Sequence, residues 1–267
     1  TRRLAARGVR EFNVIAQDLS SYGTDLYGEH RLAALIDAMA EVEGVEWIRL
    51  HYAYPADFPM DILDVMARRS NVCKYLDIAL QHSSDKMLKA MRRHISAAET
   101  ERLLDEIRRR VPGIRIRTTL MVGFPGEEEE DFDNLMDFVR NRRFDRMGAF
   151  AYSEEEDTYA ARHYADNVPE EVKQRRLDTL MALQQDISAE LSEELVGKRL
   201  RLLVDEREGD YALCRSEWDS PEVDLTFHVR CDAQPGEFIE ATVTRAEEFD
   251  LFAETGPIQD DSTDNNI

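Results

Sequence analysis

Residues 114–132 read Ile-Arg-Ile-Arg-Thr-Thr-Leu-Met-Val-Gly-Phe-Pro-Gly-Glu-Glu-Glu-Glu-Asp-Phe. Ile114 to Val122 is rich in β-branched and apolar residues, as a strand is, and it ends at Gly123. Phe124-Pro125-Gly126 makes a stiff turn, and four glutamates follow, suited to the positive end of a helix dipole. Phe132, Leu135, Met136 and Val139 then recur at helical spacing. The stretch predicts a strand, a tight turn and a helix.

The same unit repeats outward in both directions. Towards the N-terminus a helix end at 2–7 closes at Gly8, and Glu11 to Ala16 is a short β-rich run. Leu32, Leu35, Ile36 and Met39 mark a helix, and Trp47 to Tyr54 a strand stopped by Pro55. Ile62, Leu63 and Met66 are helical in spacing, Tyr75 to Leu80 is a strand, and Leu88 to Ile107 is helical up to Pro112-Gly113. Met147 to Tyr152 is the last strand of the series. Alternating strands and helices predict a parallel sheet with helices outside it. About five strands are too few for a closed eight-stranded barrel, so the α/β fold expected is an open, partial β/α barrel.

A long helix is predicted over 169–196, opened by Pro169 and closed by Gly197. From Arg199-Leu200-Arg201-Leu202 the period changes to two, with turns at Gly209-Asp210, Ser220-Pro221 and Pro235-Gly236. That pattern predicts a small antiparallel β-barrel. The expected domains are therefore 1–168, a connecting helix 169–196, a barrel 197–253 and a disordered acidic tail 254–267. The chain starts at Thr1 inside a helical pattern, which suggests a stretch of a longer protein.

Composition narrows the function. Hydrophobic residues make up 43% and charged residues 33% of 267, an ordinary globular balance, and no apolar run approaches the ~20 residues of a membrane helix. The net charge is −21. Residues 1–196 carry 27 basic and 37 acidic side chains, and 197–252 carry 7 and 14. Such surfaces favour basic partners over nucleic acid, or serve solubility alone. Cys73, Cys214 and Cys231 are too few and too widely spaced for a disulfide framework or a CxxC metal site. Neutral thiols in a reducing compartment, most simply the cytoplasm, are expected.

Ligands of open α/β sheets gather at the carboxyl ends of the strands, and four strand ends carry polar or aromatic residues. Gln17 and Asp18 could hold an amino group, or could stabilise a turn. Gln81, His82 and Ser83 point to a ribose or carboxylate contact, while Ser84 and Asp85 suit a helix cap and His82 alone reads as a structural histidine. Arg93 could pair bidentately with a carboxylate, or lie on a solvated helix face beside Arg92. Val122 and Gly123 would let the backbone approach a flat ligand. No Gly-Lys-Ser/Thr follows, so this is not a P-loop, and Glu127 to Asp131 are expected only to favour the helix start. Phe150 could stack on a base or belong to the core.

Taken together and in order, AQDLSSYG (16–23), YLDIALQHSSDKMLKAMRR (75–93), RTTLMVGFPGEEEEDF (117–132) and FDRMGAFAYSEEEDT (144–158) resemble the radical S-adenosylmethionine (SAM) methylthiotransferase family. The resemblance runs from about Glu11 to Phe252. It implies a partial TIM-like β/α barrel of the radical SAM type followed by a TRAM-like β-barrel. It also implies two 4Fe–4S clusters in the full-length protein, one on a CxxxCxxC loop and one on an N-terminal domain, with the ligands of both outside this chain.

One branch of that family modifies an adenosine of transfer RNA, the other an aspartate of the twelfth small-subunit ribosomal protein. AQDLSSYG in place of GQNVNSYG, QHSS in place of QSGS, and the YSEEEDT segment resemble the ribosomal-protein branch. The acidic terminal domain agrees, which disfavours tRNA and makes a basic ribosomal protein the expected partner. The implied reaction is radical removal of hydrogen from the aspartate β-carbon and transfer of a methylthio group to it. For this chain the resemblance implies SAM-positioning residues alone. Gln17 and Asp18 would meet the methionine amino end, Gln81, Ser83 and Arg93 the ribose or carboxylate, and Val122, Gly123 and Phe150 the adenine. No catalytic residue and no metal ligand is assigned. The alternatives are a tRNA methylthiotransferase and a non-catalytic docking scaffold.

Overall fold

A computed structural model describes residues 1–247 and 249–256. The chain divides into two compact units, one of residues 1–188 and one from Ala189 onward. The acidic tail expected at its end falls mostly on 257–267, outside the described residues.

The first unit holds five parallel strands in the sequential order β1 (Glu11–Val14), β2 (Trp47–Ala53), β3 (Val72–Ile78), β4 (Arg115–Val122) and β5 (Arg146–Ala151). Its helices are α1 (Arg2–Ala5), α2 (Thr24–Tyr27), α3 (Leu32–Ala40), α4 (Ile62–Arg68), α5 (Asp85–Ala90), α6 (Ala97–Arg110), α7 (Glu129–Arg142) and α8 (Tyr159–His163). The long α9 (Glu170–Glu193) begins in this unit and crosses its boundary. The open parallel sheet matches the partial barrel expected from the alternation.

The period of two in β4 explains how the sheet is used. Ile116, Thr118, Leu120 and Val122 are buried, while Arg115, Arg117, Thr119 and Met121 remain partly exposed. Each buried Leu or Ile contributes about 1.5–3 kcal/mol relative to exposure, and Ile48, Leu50, Leu76 and Ile78 on neighbouring strands are equally buried. The other face carries polar groups in pairs. Arg49 on β2, wholly buried, meets Glu11 on β1 at 3.2 Å and lies 5.1 Å from the Tyr75 ring. His51 meets Asp77 at 3.7 Å. A buried cation needs such partners, since an unpaired one would be costly. Helix α6 opens with a reciprocal cap, Ser96 Oγ accepting the Glu99 N–H and Glu99 accepting the Ser96 N–H.

The second unit is a closed barrel of β6 (Arg199–Glu208), β7 (Tyr211–Ser216), β8 (Thr226–Arg230), β9 (Phe238–Ala246) and β10 (Asp250–Glu254). The ring order is β6-β7-β8-β10-β9 and back to β6. Four of its ladders are antiparallel, as expected, and β8 pairs with β10 in parallel. An odd number of strands cannot alternate direction all the way round a ring, so one parallel ladder is unavoidable. Inside, Leu202, Val204, Phe227, Val229, Val243 and Leu251 form the core.

Candidate functional site

At the carboxyl ends of β3, β4 and β5 the first unit holds a cavity of about 250 Å³. Gln81, Arg93, Met121, Phe124, Phe150 and Tyr159 are among its lining residues. Apolar walls with a few placed polar groups are the usual make-up of a small-molecule site.

Gln81 follows β3 and makes a single parallel bridge to Leu120. Its N–H donates to Thr119 O at 2.9 Å, and its carbonyl accepts the Met121 N–H at 2.8 Å. Its φ is 71°, in the left-handed region that a glutamine rarely enters. The side-chain Oε1 is buried and has no hydrogen-bond partner.

Arg93 closes the turn after α5, its N–H donating to Leu88 O. One guanidinium nitrogen, Nη2, donates to Ala79 O. The guanidinium lies 4.3 Å from the centre of the Tyr54 ring, and the Tyr54 hydroxyl donates to Arg93 O at 2.9 Å. Its Nε is buried without a partner. Burial pushes the guanidinium below its ordinary pKa, opposed by Tyr54 and by the negative Asp18. Asp18 therefore stands within electrostatic reach of Arg93. Asp18 also accepts the Ser20 N–H at 2.9 Å, the turn role that its sequence context offered as an alternative.

Of the residues singled out from sequence, Gln81, Arg93 and Phe150 line one cavity, with Asp18 facing Arg93 electrostatically. Gln17 is exposed on the loop after β1. Ser83, its Oγ buried without a partner, borders a different depression with Asp85 and Asp131. Val122 is wholly buried on the apolar face of the sheet, and Gly123 is outside the lining. The close approach that Gly123 permits is that of α9: a Cβ there would lie 2.4 Å from the Lys173 Cγ. Glu127 does more than favour a helix start. It is fully buried, accepting the Gly123 N–H at 2.7 Å and pairing with Arg176 of α9 at 2.9 Å.

Sequence reasoning missed Met121, Phe124, Tyr159 and Tyr54. Met121 was recoverable, because a period of two sends it to the face opposite Val122. The pair of tyrosines before Pro55 marks the end of β2, yet nothing in HYAYP distinguishes a ligand-side ring from a core ring.

The family model of the Radical SAM superfamily matches residues 2–139, and a TRAM domain model matches 196–255. The chain belongs to the Radical SAM superfamily and carries a TRAM domain. Its relatives narrow this further. It is 58% identical over 255 residues to the ribosomal protein uS12 methylthiotransferase RimO of Bacteroides thetaiotaomicron, covering 94% of this chain and 58% of that protein. It is 56% identical over 253 residues to the protein of the same name from Phocaeicola vulgatus, covering 94% and 59%. The one from Flavobacterium johnsoniae is 51% identical over 256 residues, covering 94% and 58%. The chain thus spans less than two thirds of the length of these relatives. Coproporphyrinogen III oxidase from Escherichia coli, a solved radical SAM enzyme, aligns at a TM-score of 0.47 and 20% identity over 59% of this chain and 36% of its own, too loosely to add to the argument.

The donor set does not suit an iron–sulfur cluster. Among the described residues no group of three His, Cys, Asp or Glu could hold a metal ion. Cys73 is buried in β3 of the first unit, and Cys214 and Cys231 belong to the second.

Proposed function

We propose that this chain serves methylthio transfer to an aspartate β-carbon of ribosomal protein uS12, and that its cavity at the carboxyl ends of β3–β5 holds SAM. The reading is carried by one observation. Gln81 and Arg93 both line a cavity walled by Met121, Phe124 and Phe150, and each carries a buried polar atom with no partner, Oε1 and Nε. Buried polar atoms are normally satisfied, so such orphans suit a ligand.

The residues fit an adenosylated amino acid. Apolar and aromatic walls suit the adenosine, with Phe150 half-exposed and available for stacking. Gln81 suits a ribose hydroxyl. Arg93 suits the carboxylate, and Asp18, of opposite sign and near it, suits the ammonium group. In this reading Gln17, Ser83 and Gly123 belong to the surrounding loops, and Val122 to the buried end of β4. When bound, SAM is a source of a carbon-centred radical able to take hydrogen from an unactivated carbon. The chain's own part is to bind and orient that molecule and to keep water from it. No step is assigned to a cluster, since the cysteines here do not fit one.

The barrel from 197 onward is acidic and suits a basic ribosomal protein better than RNA. No described helix is long and apolar enough to cross a membrane, and the cytoplasm, where ribosomes work, is the proposed location.

Calorimetric titration of the chain with S-adenosylhomocysteine tests the cavity. Saturable binding that Arg93→Ala abolishes is expected; binding indifferent to Arg93→Ala would refute it. Titration with uS12 and with tRNA across a salt series tests the partner. Tight binding of tRNA alone would move the reading to tRNA modification.

A further inference from the structure

The loops that follow β3 and β4 converge on one carboxylate oxygen. Glu127 Oε2 accepts the Gly123 N–H at 2.7 Å, and the imidazole of His82 stands on its other side, Nε2 at 3.6 Å. The second oxygen, Oε1, accepts Arg176 Nη1 at 2.9 Å, and Arg176 Nη2 reaches Glu129 at 2.9 Å. His82 and Glu127 are fully buried. His82 Nδ1 accepts the Ser84 N–H at 3.0 Å, which leaves the proton of a neutral ring on Nε2, facing Glu127. That Nε2 has no hydrogen-bond partner. Ser84 is in turn fixed, its hydroxyl donating to Asp131 of α7 at 2.6 Å.

The residue immediately before His82 is Gln81, held at a φ of 71°. Strained backbone persists only where the surroundings over-determine it. Hydrogen bonds to β4 fix the Gln81 peptide groups, and the His82 N–H closes a tight turn across Gln81 by donating to Leu80 O at 3.0 Å. The imidazole one residue on is held at Nδ1 by the Ser84 N–H and packs against Glu127 at 3.6 Å through Nε2.

We propose that His82 is a positioning residue, which through Glu127 holds Gln81 in its left-handed conformation with its amide at the cavity. The inference rests on reading that cavity as an adenosyl site. His82 does not line the cavity, so its effect on a ligand passes through Gln81.

Two substitutions separate the ring nitrogens. His82→Asn puts an acceptor near the place of Nδ1 and leaves Glu127 without its third contact, while His82→Gln reaches to the place of Nε2 with an amide N–H. Both are read in the full chain by calorimetry with S-adenosylhomocysteine and by hydrogen exchange at the Gln81 and Met121 amides. We expect His82→Asn to weaken binding on the order of tenfold and to speed exchange at those two amides. His82→Gln should recover most of both, with exchange in β6–β10 unchanged in either variant. Equal behaviour of the two variants, or wild-type exchange in His82→Asn, would overturn the proposal. If the wild-type chain binds no S-adenosylhomocysteine, the adenosyl reading of the cavity fails, and the exchange comparison still decides the placement of Gln81 by His82.

Discussion

Tyr54 holds Arg93 twice: its ring lies 4.3 Å from the guanidinium carbon, and its hydroxyl donates to the arginine's own carbonyl. The ring comes from the loop after β2 and the arginine, which lines the cavity, from the turn after α5, so a strand end and a helix end are joined there. Replacing Tyr54 by Leu removes both contacts while keeping apolar volume. Cation–π contacts of this kind are worth about 0.5–2 kcal/mol. Binding of S-adenosylhomocysteine should weaken several-fold, with little change in thermal midpoint, as seen by calorimetry and melting of one preparation.

Gly123 is set by a neighbour far along the chain. Its φ is 72°, and a Cβ would collide with the Lys173 side chain. Gly123→Ala should destabilise the first unit by about 2–3 kcal/mol, from the left-handed conformation and the clash together. A double variant with Lys173→Ala should recover the clash part and show coupling in a mutant cycle followed by urea unfolding. Strict additivity would mean that the conformation alone matters.

Phe150 is 41% exposed, so its truncation should cost little stability. Phe150→Ala is expected to leave the unfolding midpoint near that of the wild type and to lower affinity for adenosyl ligands. A variant that binds normally would remove Phe150 from the site.

Burial pushes the Cys214 thiol up to about 12, the nearby Cys231 and Asp205 adding to the shift. Because the folded state raises this pKa, the folded barrel keeps its proton while the unfolded chain loses its own near pH 8.5. The contribution to stability is whole below that pH and declines as pH rises from there towards 12. Denaturation of the barrel should therefore show an alkaline loss that Cys214→Ala flattens. At pH 8 a thiol reagent should modify the half-buried Cys231 well before Cys214.

Iron–sulfur reconstitution of the chain should give no stoichiometric 4Fe–4S absorbance, since the described residues offer no ligand set. A full cluster spectrum would contradict this.

Much of this was legible in the residues. The β4–α7 unit followed from alternation giving way to a spacing of three and four, and Gln81, Arg93 and Phe150 stood out as residues at or beyond strand ends, where parallel sheets place ligands. What stayed hidden was long-range. Glu127 looks like any acid at a helix start, yet α7 begins two residues later and the carboxylate turns inward to Gly123, His82 and Arg176. Val122 and Gly123 read as a ligand approach because glycine signals closeness without naming the neighbour. The parallel ladder of the barrel was invisible for another reason: turns fix which strands follow one another, not which strands meet when a ring closes.

That ring cannot be assembled by adding hairpins in sequence. β9 skips past β8 to join β6, and the gap between β8 and β9 is filled by β10 alone. During synthesis the first four strands can pair as soon as they emerge, but they leave two bare edges facing each other until Asp250–Glu254 clears the ribosome. The barrel is thus a lock whose last pin is its C-terminal strand, and a chain interrupted near residue 249 would carry a sheet with sticky edges in place of a finished domain.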